Sequence, residues 1–394
     1  LPSDKHLTAL FGIGSSQVVI MDQAYTETDV VVIGGGPAGL AAAIAMRRKG
    51  LRVVVAERSQ APIDKVCGEG LMPDGVAALA RLGVAIPSDR SVPFRGIRFI
   101  AGETSTDAFF PDGFGLGIRR TTLHEILVKH ACDAGVAVSW GSKAKGLTPD
   151  GVDLGSHIIR CRWVIGADGQ NSMVRKWSGL HDLRFEQIRF GHRRHFEVTP
   201  WTDFVEVYWG DNLQVVITPV GPRLVCAALV SRNPRLRLDD ALAAIPRLSQ
   251  RLNGAAATTK EKGAVSVLRG VRAVSRERVA LVGDASGSVE SLAGEGLCLA
   301  FKQVIALAEA IANCDLSQYA AAHRRIARLP NLMSRLLLAM DRHTLLRERV
   351  LRALEARPQT FSRLLETHLG DGSPATLHIG NLLGLGWQVL TGLA

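Results

Sequence analysis

Gly34, Gly36 and Gly39 stand at G-x-G-x-x-G spacing, with Pro37 and Ala38 between the last two. In such a loop the first glycine makes a tight turn and the second lets backbone approach a pyrophosphate. The third lets a helix pack on a strand. The helix that follows points free N–H groups and its positive dipole end at the phosphates. Glu57 comes eighteen residues after Gly39, at the end of the next β-branched run, with Arg58 beside it. A carboxylate there accepts hydrogen bonds from a ribose diol. A glycine-rich turn in an ordinary α/β protein is the bland alternative, but strand, helix, strand and terminal acid are all in place. The set reads as a dinucleotide site.

Two more segments narrow the dinucleotide. Val164-Ile-Gly-Ala-Asp168-Gly ends one apolar run, with Ser172 and Arg175 after it. Val279-Ala-Leu-Val-Gly283-Asp284-Ala ends another and leads through Gly294-Glu295-Gly296 into a helical segment. An aspartate at a strand end can hold a ribityl hydroxyl. A glycine-lined helix N-terminus can sit against a flavin ring edge and stabilise negative charge in the reduced ring.

The elements that position these residues follow from periodicity. Asp29–Gly34 is a β-branched run expected as a buried parallel strand. Pro37–Lys49 is an Ala-rich helix ended by Gly50, and Arg52–Glu57 is the second strand of a βαβ unit. Helices are expected over Asp74–Leu82, Thr121–Ala134, Leu238–Leu252 and Gly296–Asn313. From Arg189 to Ser231 strand-like runs follow one another without helices, which predicts an inserted antiparallel sheet. The fold class is therefore α/β: a doubly wound Rossmann-type domain, an inserted antiparallel β-sheet substrate domain and a helical C-terminus. Residues 28–92, 120–180 and 265–317 are assigned to the nucleotide-binding domain, 93–119 and 185–264 to the substrate domain, and 318–394 to a basic helical region.

Composition bounds the alternatives. The chain has 394 residues, 47% hydrophobic and 21% charged, and a formal charge of +10. That is enough chain for two or three domains with a sizeable core, and it excludes disorder as the main state. Between Gln318 and Arg363 ten Arg face only Asp341, Glu348 and Glu355, so this stretch carries +7 of the charge. A solvated helix face is the commonest use of such a pattern. With only 5% aromatics, a basic amphipathic surface near anionic lipid fits at least as well as a nucleic-acid site. Nucleic acid is not expected as a partner. Six scattered Cys form no C-x-x-C and no zinc spacing, which points to a reducing cytoplasm, with no metal expected. No apolar run is long enough to span a bilayer; Asn381–Ala394 is apolar but short. Residues 1–20 are read as a non-native or disordered tail.

In order and spacing the three motifs resemble the FAD-dependent class that includes para-hydroxybenzoate hydroxylase and the geranylgeranyl reductases, over Thr28 to Asn313. Gly283-Asp-Ala-Ser-Gly-Ser-Val-Glu-Ser-Leu-Ala-Gly-Glu-Gly296 is closest to the reductase branch, which has Gly where the hydroxylases usually carry His and keeps Gly-Glu-Gly. Ser291 replaces the usual Pro. Lys65-Val-Cys67-Gly-Glu69-Gly70 is similar to that branch's Lys-x-Cys-Gly-Gly-Gly segment, with Glu69 in place of a Gly. The resemblance implies non-covalent FAD held by Gly34, Gly36, Pro37, Ala38, Gly39, Glu57, Arg58, Arg120, Asp168, Gly283, Asp284, Gly294, Glu295 and Gly296. With one G-x-G-x-x-G, the chain would take electrons from transiently bound NAD(P)H or from a protein donor.

Three reactions stay open. As a reductase, the chain would add hydride from reduced flavin to a C=C bond, with Cys67 and Glu69 as candidate catalytic residues. As an aromatic monooxygenase, it would use His192, Arg193, His195 or Tyr208 on the inserted sheet. A flavin electron carrier is the third. Halogenation is disfavoured, because Leu213–Pro219 lacks the Trp-x-Trp segment of that branch. Phe94, Phe99, Phe109, Phe110, Phe114, Trp201, Phe204 and Trp209 are either sheet core or the lining of an apolar pocket. A small apolar or aromatic substrate and a peripheral membrane contact are the expected partners.

Overall fold

The computed structural model describes residues 26–369. The tail assigned to residues 1–20 and the apolar Asn381–Ala394 lie outside the described residues. In chain order, β1 (Glu27–Ile33), α1 (Pro37–Arg48) and β2 (Val53–Glu57) form the opening βαβ unit, followed by α2 (Pro73–Arg81). Next come β3 (Gly96–Ala101), β4 (Thr104–Phe109), α3 (Arg120–Asp133), β5 (Ala137–Trp140) and β6 (Ile158–Gly166). The inserted part holds β7 (Leu183–Glu197), β8 (Val205–Gly210), β9 (Leu213–Gly221), β10 (Leu224–Ser231) and β11 (Lys262–Val271). Then β12 (Val279–Leu281), α4 (Gly296–Ala312), α5 (Leu316–Arg342), α6 (Thr344–Ala356) and α7 (Pro358–Leu369) complete the described chain.

The first sheet runs β12–β6–β1–β2–β5, and these neighbours are all parallel. β1 shows why its sequence has no polar side. Val30 and Val32 enter one core, Val31 and Ile33 the other. Each such burial contributes about 1.5–3 kcal/mol. Pro37 opens α1, where a missing N–H costs nothing. Leu40 through Met46 are buried, and Gly50 at φ +80° turns the chain into β2.

The second sheet runs β7–β10–β9–β8–β3–β4, antiparallel except for β8–β3, where Val205 lies opposite Ile97 in parallel register. β11 lies along the other edge of β7, from Leu183↔Val271 to Arg193↔Lys262. That pairing places 265–271 in this sheet rather than in the nucleotide-binding part. The helix expected over Leu238–Leu252 is two, Leu238–Ala243 and Pro246–Arg251, because Pro246 interrupts the helical ladder.

Alternate residues of β7 face opposite ways. His192 and Arg194 reach Glu261 and Asp239 on the outer side. Arg189, Arg193 and His195 face inward, toward α5 and the loop after β2. The C-terminal helices close the other end: Phe361 of α7 stacks on Phe99 of β3 at 4.9 Å. Arg324, Arg325, Arg328 and Arg335 of α5 are exposed, as are Leu332 and Leu336. Among the described residues no helix is long and apolar enough to cross a membrane.

Candidate active site

The three glycine-bearing motifs touch one another through backbone. A Cβ on Gly34 would stand 2.4 Å from the Ala167 carbonyl oxygen, and one on Gly39 1.8 Å from the Gly34 oxygen. One on Gly283 would stand 2.9 Å from the Ala38 Cβ. No side chain fits at these points. Gly36 differs: nothing lies within 4 Å of the position its Cβ would take. This open space adjoins the first turn of α1, which no side chain caps, and it suits a pyrophosphate. At the start of α4, a Cβ on Gly296 likewise meets nothing within 4 Å. The buried Nε of Arg120 has no partner among the described residues, a donor that needs an acceptor. The residues present therefore fit a dinucleotide with a ring system beyond it.

The acids around this space divide by role. Glu57 is buried, and its Oε2 and Oε1 accept the N–H groups of Gly35 (2.6 Å) and Ser59 (2.8 Å). It braces the loop, and each oxygen keeps a further acceptor position. Arg58 beside it is exposed. Asp168 accepts the Ser172 hydroxyl (2.5 Å) and the N–H groups of Met173 (2.6 Å) and Val174 (3.2 Å). Its carboxylate thus builds the turn into the short helix Met173–Trp177. Asp284 pairs with Lys65 at 2.8 Å. Burial alone would raise its carboxyl pKa, but Lys65, with Arg120 nearby, holds it below the ordinary value. Gly294 at φ +69° turns the chain toward α4, and Glu295 just before the helix is buried.

The Gly283 turn is held from behind. Its N–H donates to Gln303 Oε1 at 2.8 Å, and Gln303 Nε2 lies 3.1 Å from His323 Nε2. Ser286 Oγ lies 3.0 Å from the same nitrogen. Burial pushes the His323 imidazole down to about 4, with Arg324 adding to the effect.

Glu69 sits in the loop after β2 at φ +61° and is 3% exposed. The left-handed conformation is costly for a residue with a Cβ and persists only where contacts over-determine it. Here they do. Oε1 accepts Arg193 Nη1 and the Arg120 N–H, each at 2.9 Å, and Oε2 lies 2.7 Å from His195 Nε2. Arg193 also grips Asp64 at 2.9 Å, and Lys262 pairs with Asp64 at 2.6 Å. Cys67 is half-buried, and its Sγ accepts the Glu69 N–H at 3.3 Å. Cys226 lies against this cluster, and burial pushes its thiol pKa well up, next to the Glu69 charge. A gap too narrow for a water molecule, bordered by Cys67, Glu69, Leu71, Arg120, Leu123 and Leu297, lies between the cluster and the start of α4.

Of the residues weighed on the inserted sheet, Arg193 and His195 reach this site. His192 and Tyr208 do not: His192 pairs with Glu261 at 2.8 Å, and the Tyr208 hydroxyl donates to Glu206 at 2.7 Å. The aromatic residues line no single pocket. Phe109 and Phe114 are exposed, Trp201 donates to Glu206, and Phe94 stacks with Phe110. Phe99 and Trp209 meet edge to face on the inward side. A second buried cluster escaped the sequence pattern. Arg189 donates to Asp341 (3.0 Å) and Gln214 (2.6 Å), and Gln214 donates to Asp341 (2.7 Å). It ties β7 and β9 to α5. Partners so distant in sequence left no signal of it.

Comparison with known proteins follows the same lines. The menaquinone reductase of Mycolicibacterium smegmatis is 35% identical over 160 residues, 38% of this chain and 39% of that protein. The match thus spans about two fifths of that relative's length. The 6-methylpretetramide 4-monooxygenase of Streptomyces rimosus is 26% identical, covering 80% of this chain and 86% of that protein. Digeranylgeranylglycerophospholipid reductase 2 of Methanopyrus kandleri is 28% identical, covering 69% of this chain and 73% of that protein. A flavoprotein/dehydrogenase structure from Cytophaga hutchinsonii superposes with a TM-score of 0.79 at 16% identity, over 93% of this chain and 100% of that one, which shows the shared fold. The family model described as an FAD binding domain matches residues 27–318. With the glycine loop and the Gly283-Asp284 turn in place, the chain belongs to that FAD-binding family.

Proposed function

We propose that this chain is a reductase that saturates a C=C bond of an apolar, isoprenoid- or polyketide-like substrate, with NAD(P)H as transient electron donor. Reduced FAD supplies the hydride. One observation carries the reading: Glu69, buried at the gap beside the start of α4, shares a 2.7 Å hydrogen bond with His195. A saturating reductase needs one proton for each hydride, delivered inside a closed site. Glu69 delivers that proton. Cys67 holds the backbone of Glu69 in its left-handed turn. Asp284 and Arg120 hold the cofactor, and Lys65 sets the charge of Asp284.

The exposed Leu332, Leu336 and Leu345 lie among the arginines of α5 and α6. This basic, apolar face would meet an anionic membrane surface and take a lipid-like substrate from it. A second reading, aromatic monooxygenation, is favoured by the long match to the 6-methylpretetramide 4-monooxygenase. Product analysis separates the two. Anaerobic holoenzyme with NAD(P)H and polyunsaturated isoprenoids should yield a product heavier by two hydrogens. A product that forms only with oxygen and gains an oxygen atom would overturn the reductase reading.

A further inference from the structure

We infer that Thr259 and His195 form a proton-entry route that recharges Glu69 from solvent. The inference rests on the reductase reading for its use, but its geometry stands apart from it. His195 is fully buried, and each ring nitrogen has one partner. Nδ1 lies 3.0 Å from Thr259 Oγ1, and Nε2 lies 2.7 Å from Glu69 Oε2. Thr259 Oγ1 also accepts the backbone N–H of His195 at 3.1 Å, and the Glu69 carboxylate, whose Oε1 accepts two N–H groups, offers His195 only an acceptor. Against a carboxylate the neutral ring carries its proton on Nε2, pointing at Glu69, and Nδ1 then accepts the Thr259 hydroxyl. Thr259 is partly exposed, Glu69 is not. Every donor in the row points inward, from the surface to the carboxylate that lines the gap beside Arg120.

The proton count closes. When Glu69 gives a proton to the substrate carbon that has not received the hydride, it becomes a carboxylate. His195 then passes the Nε2 proton to Oε2, Nδ1 takes the Thr259 hydroxyl proton, and Thr259 takes one from water, which leaves the ring as its Nδ1–H tautomer until it re-equilibrates with solvent. The dihydronicotinamide donor supplies both electrons, and one solvent proton is consumed per bond saturated. The groups facing this row are Arg193 on the same strand, Cys226 on β10, Arg120 on α3, Asp64 and Cys67 on the loop, and Lys262 on β11.

The test uses FAD-loaded Thr259→Val and Thr259→Ser. Valine keeps the shape at a partly exposed site and removes the hydroxyl; serine restores it. In holoenzyme labelled with ¹⁵N-histidine, the wild-type and Thr259→Ser spectra should show His195 as the neutral Nε2–H tautomer, and Thr259→Val should change that signature. In anaerobic half-reactions, Thr259→Val should slow reoxidation by a polyprenyl substrate relative to reduction by NAD(P)H by about tenfold or more. The loss should carry a larger solvent isotope effect and recover in Thr259→Ser. An Nδ1–H tautomer in the wild type, or an unchanged ratio of half-reactions in Thr259→Val, would overturn the route. If the wild-type holoenzyme saturates no alkene, the reductase reading falls, and the tautomer still decides the route.

Discussion

Two glycines in the same loop make opposite demands on a methyl group. A Cβ at Gly39 would overlap the Gly34 carbonyl, whereas one at Gly36 meets no protein atom within 4 Å. Gly39→Ala should therefore disrupt folding itself. Gly36→Ala should melt like wild type but bind FAD at least about tenfold more weakly, a cost of ~1.4 kcal/mol or more. Thermal melts and FAD titration of both variants check this; full FAD affinity in Gly36→Ala would contradict the placement of the pyrophosphate. The spacing of the glycines was legible in the sequence. The roles of the acids were not. Asp168 and Glu57 look alike as strand-end carboxylates, yet Asp168 spends its oxygens on a helix start while Glu57 spends one on the glycine loop and the other on the Ser59 N–H. Which backbone N–H lies beside a carboxylate is set by tertiary folding, and no spacing rule records it.

At the scale of elements, α4 and α5 act as struts for the cofactor turn. Gln303 Oε1 is fixed as acceptor by the Gly283 N–H, so its amide donates to His323 Nε2, which must stay unprotonated to accept. The folded-state pKa of about 4 lies below the ordinary histidine value near 6.5. The unfolded chain therefore binds a proton that the folded chain refuses. The stability this group contributes is complete above about pH 6.5 and is lost as pH falls toward 4, at about 1.4 kcal/mol per unit of separation. His323→Leu should flatten the fall in Tm between these values; an unaltered acid limb would remove His323 from the account. Asp341 fixes the other end of α5. It is fully buried and compensates Arg189 and Arg232. Asp341→Ala should destabilise by about 3–5 kcal/mol, because it strands a buried guanidinium. Denaturant unfolding measures this directly, and a loss well under 1 kcal/mol would show that the cluster is not needed. β1, α1 and β2 could be read from apolar runs and a terminal glycine. β11 could not be assigned to its sheet, because strand pairing with β7 depends on residues some eighty positions earlier.

At the scale of the whole molecule, the loop after β2 is one place where the family's cofactor domain and the inserted sheet meet. Lys65 reaches Asp284 on the nucleotide side, while Asp64 and Glu69 reach Arg193 and His195 on the sheet side. The two parts are thus held in register there by charge pairs. The basic face of α5 and α6 belongs to the same scale. The protein should co-float with anionic vesicles at low salt and release at high salt, since screening shortens the reach of surface charge. Absence of flotation at low salt would remove the membrane contact. The central claim is that the reduced cofactor is reoxidised by an alkene with a proton from Glu69. The most direct measurement is the flavin absorbance of anaerobically reduced holoenzyme mixed with a polyprenyl substrate. The account predicts that oxidised absorbance returns without oxygen, and that Glu69→Gln slows this return by about a hundredfold. A wild-type cofactor that stays reduced until oxygen is admitted would contradict it.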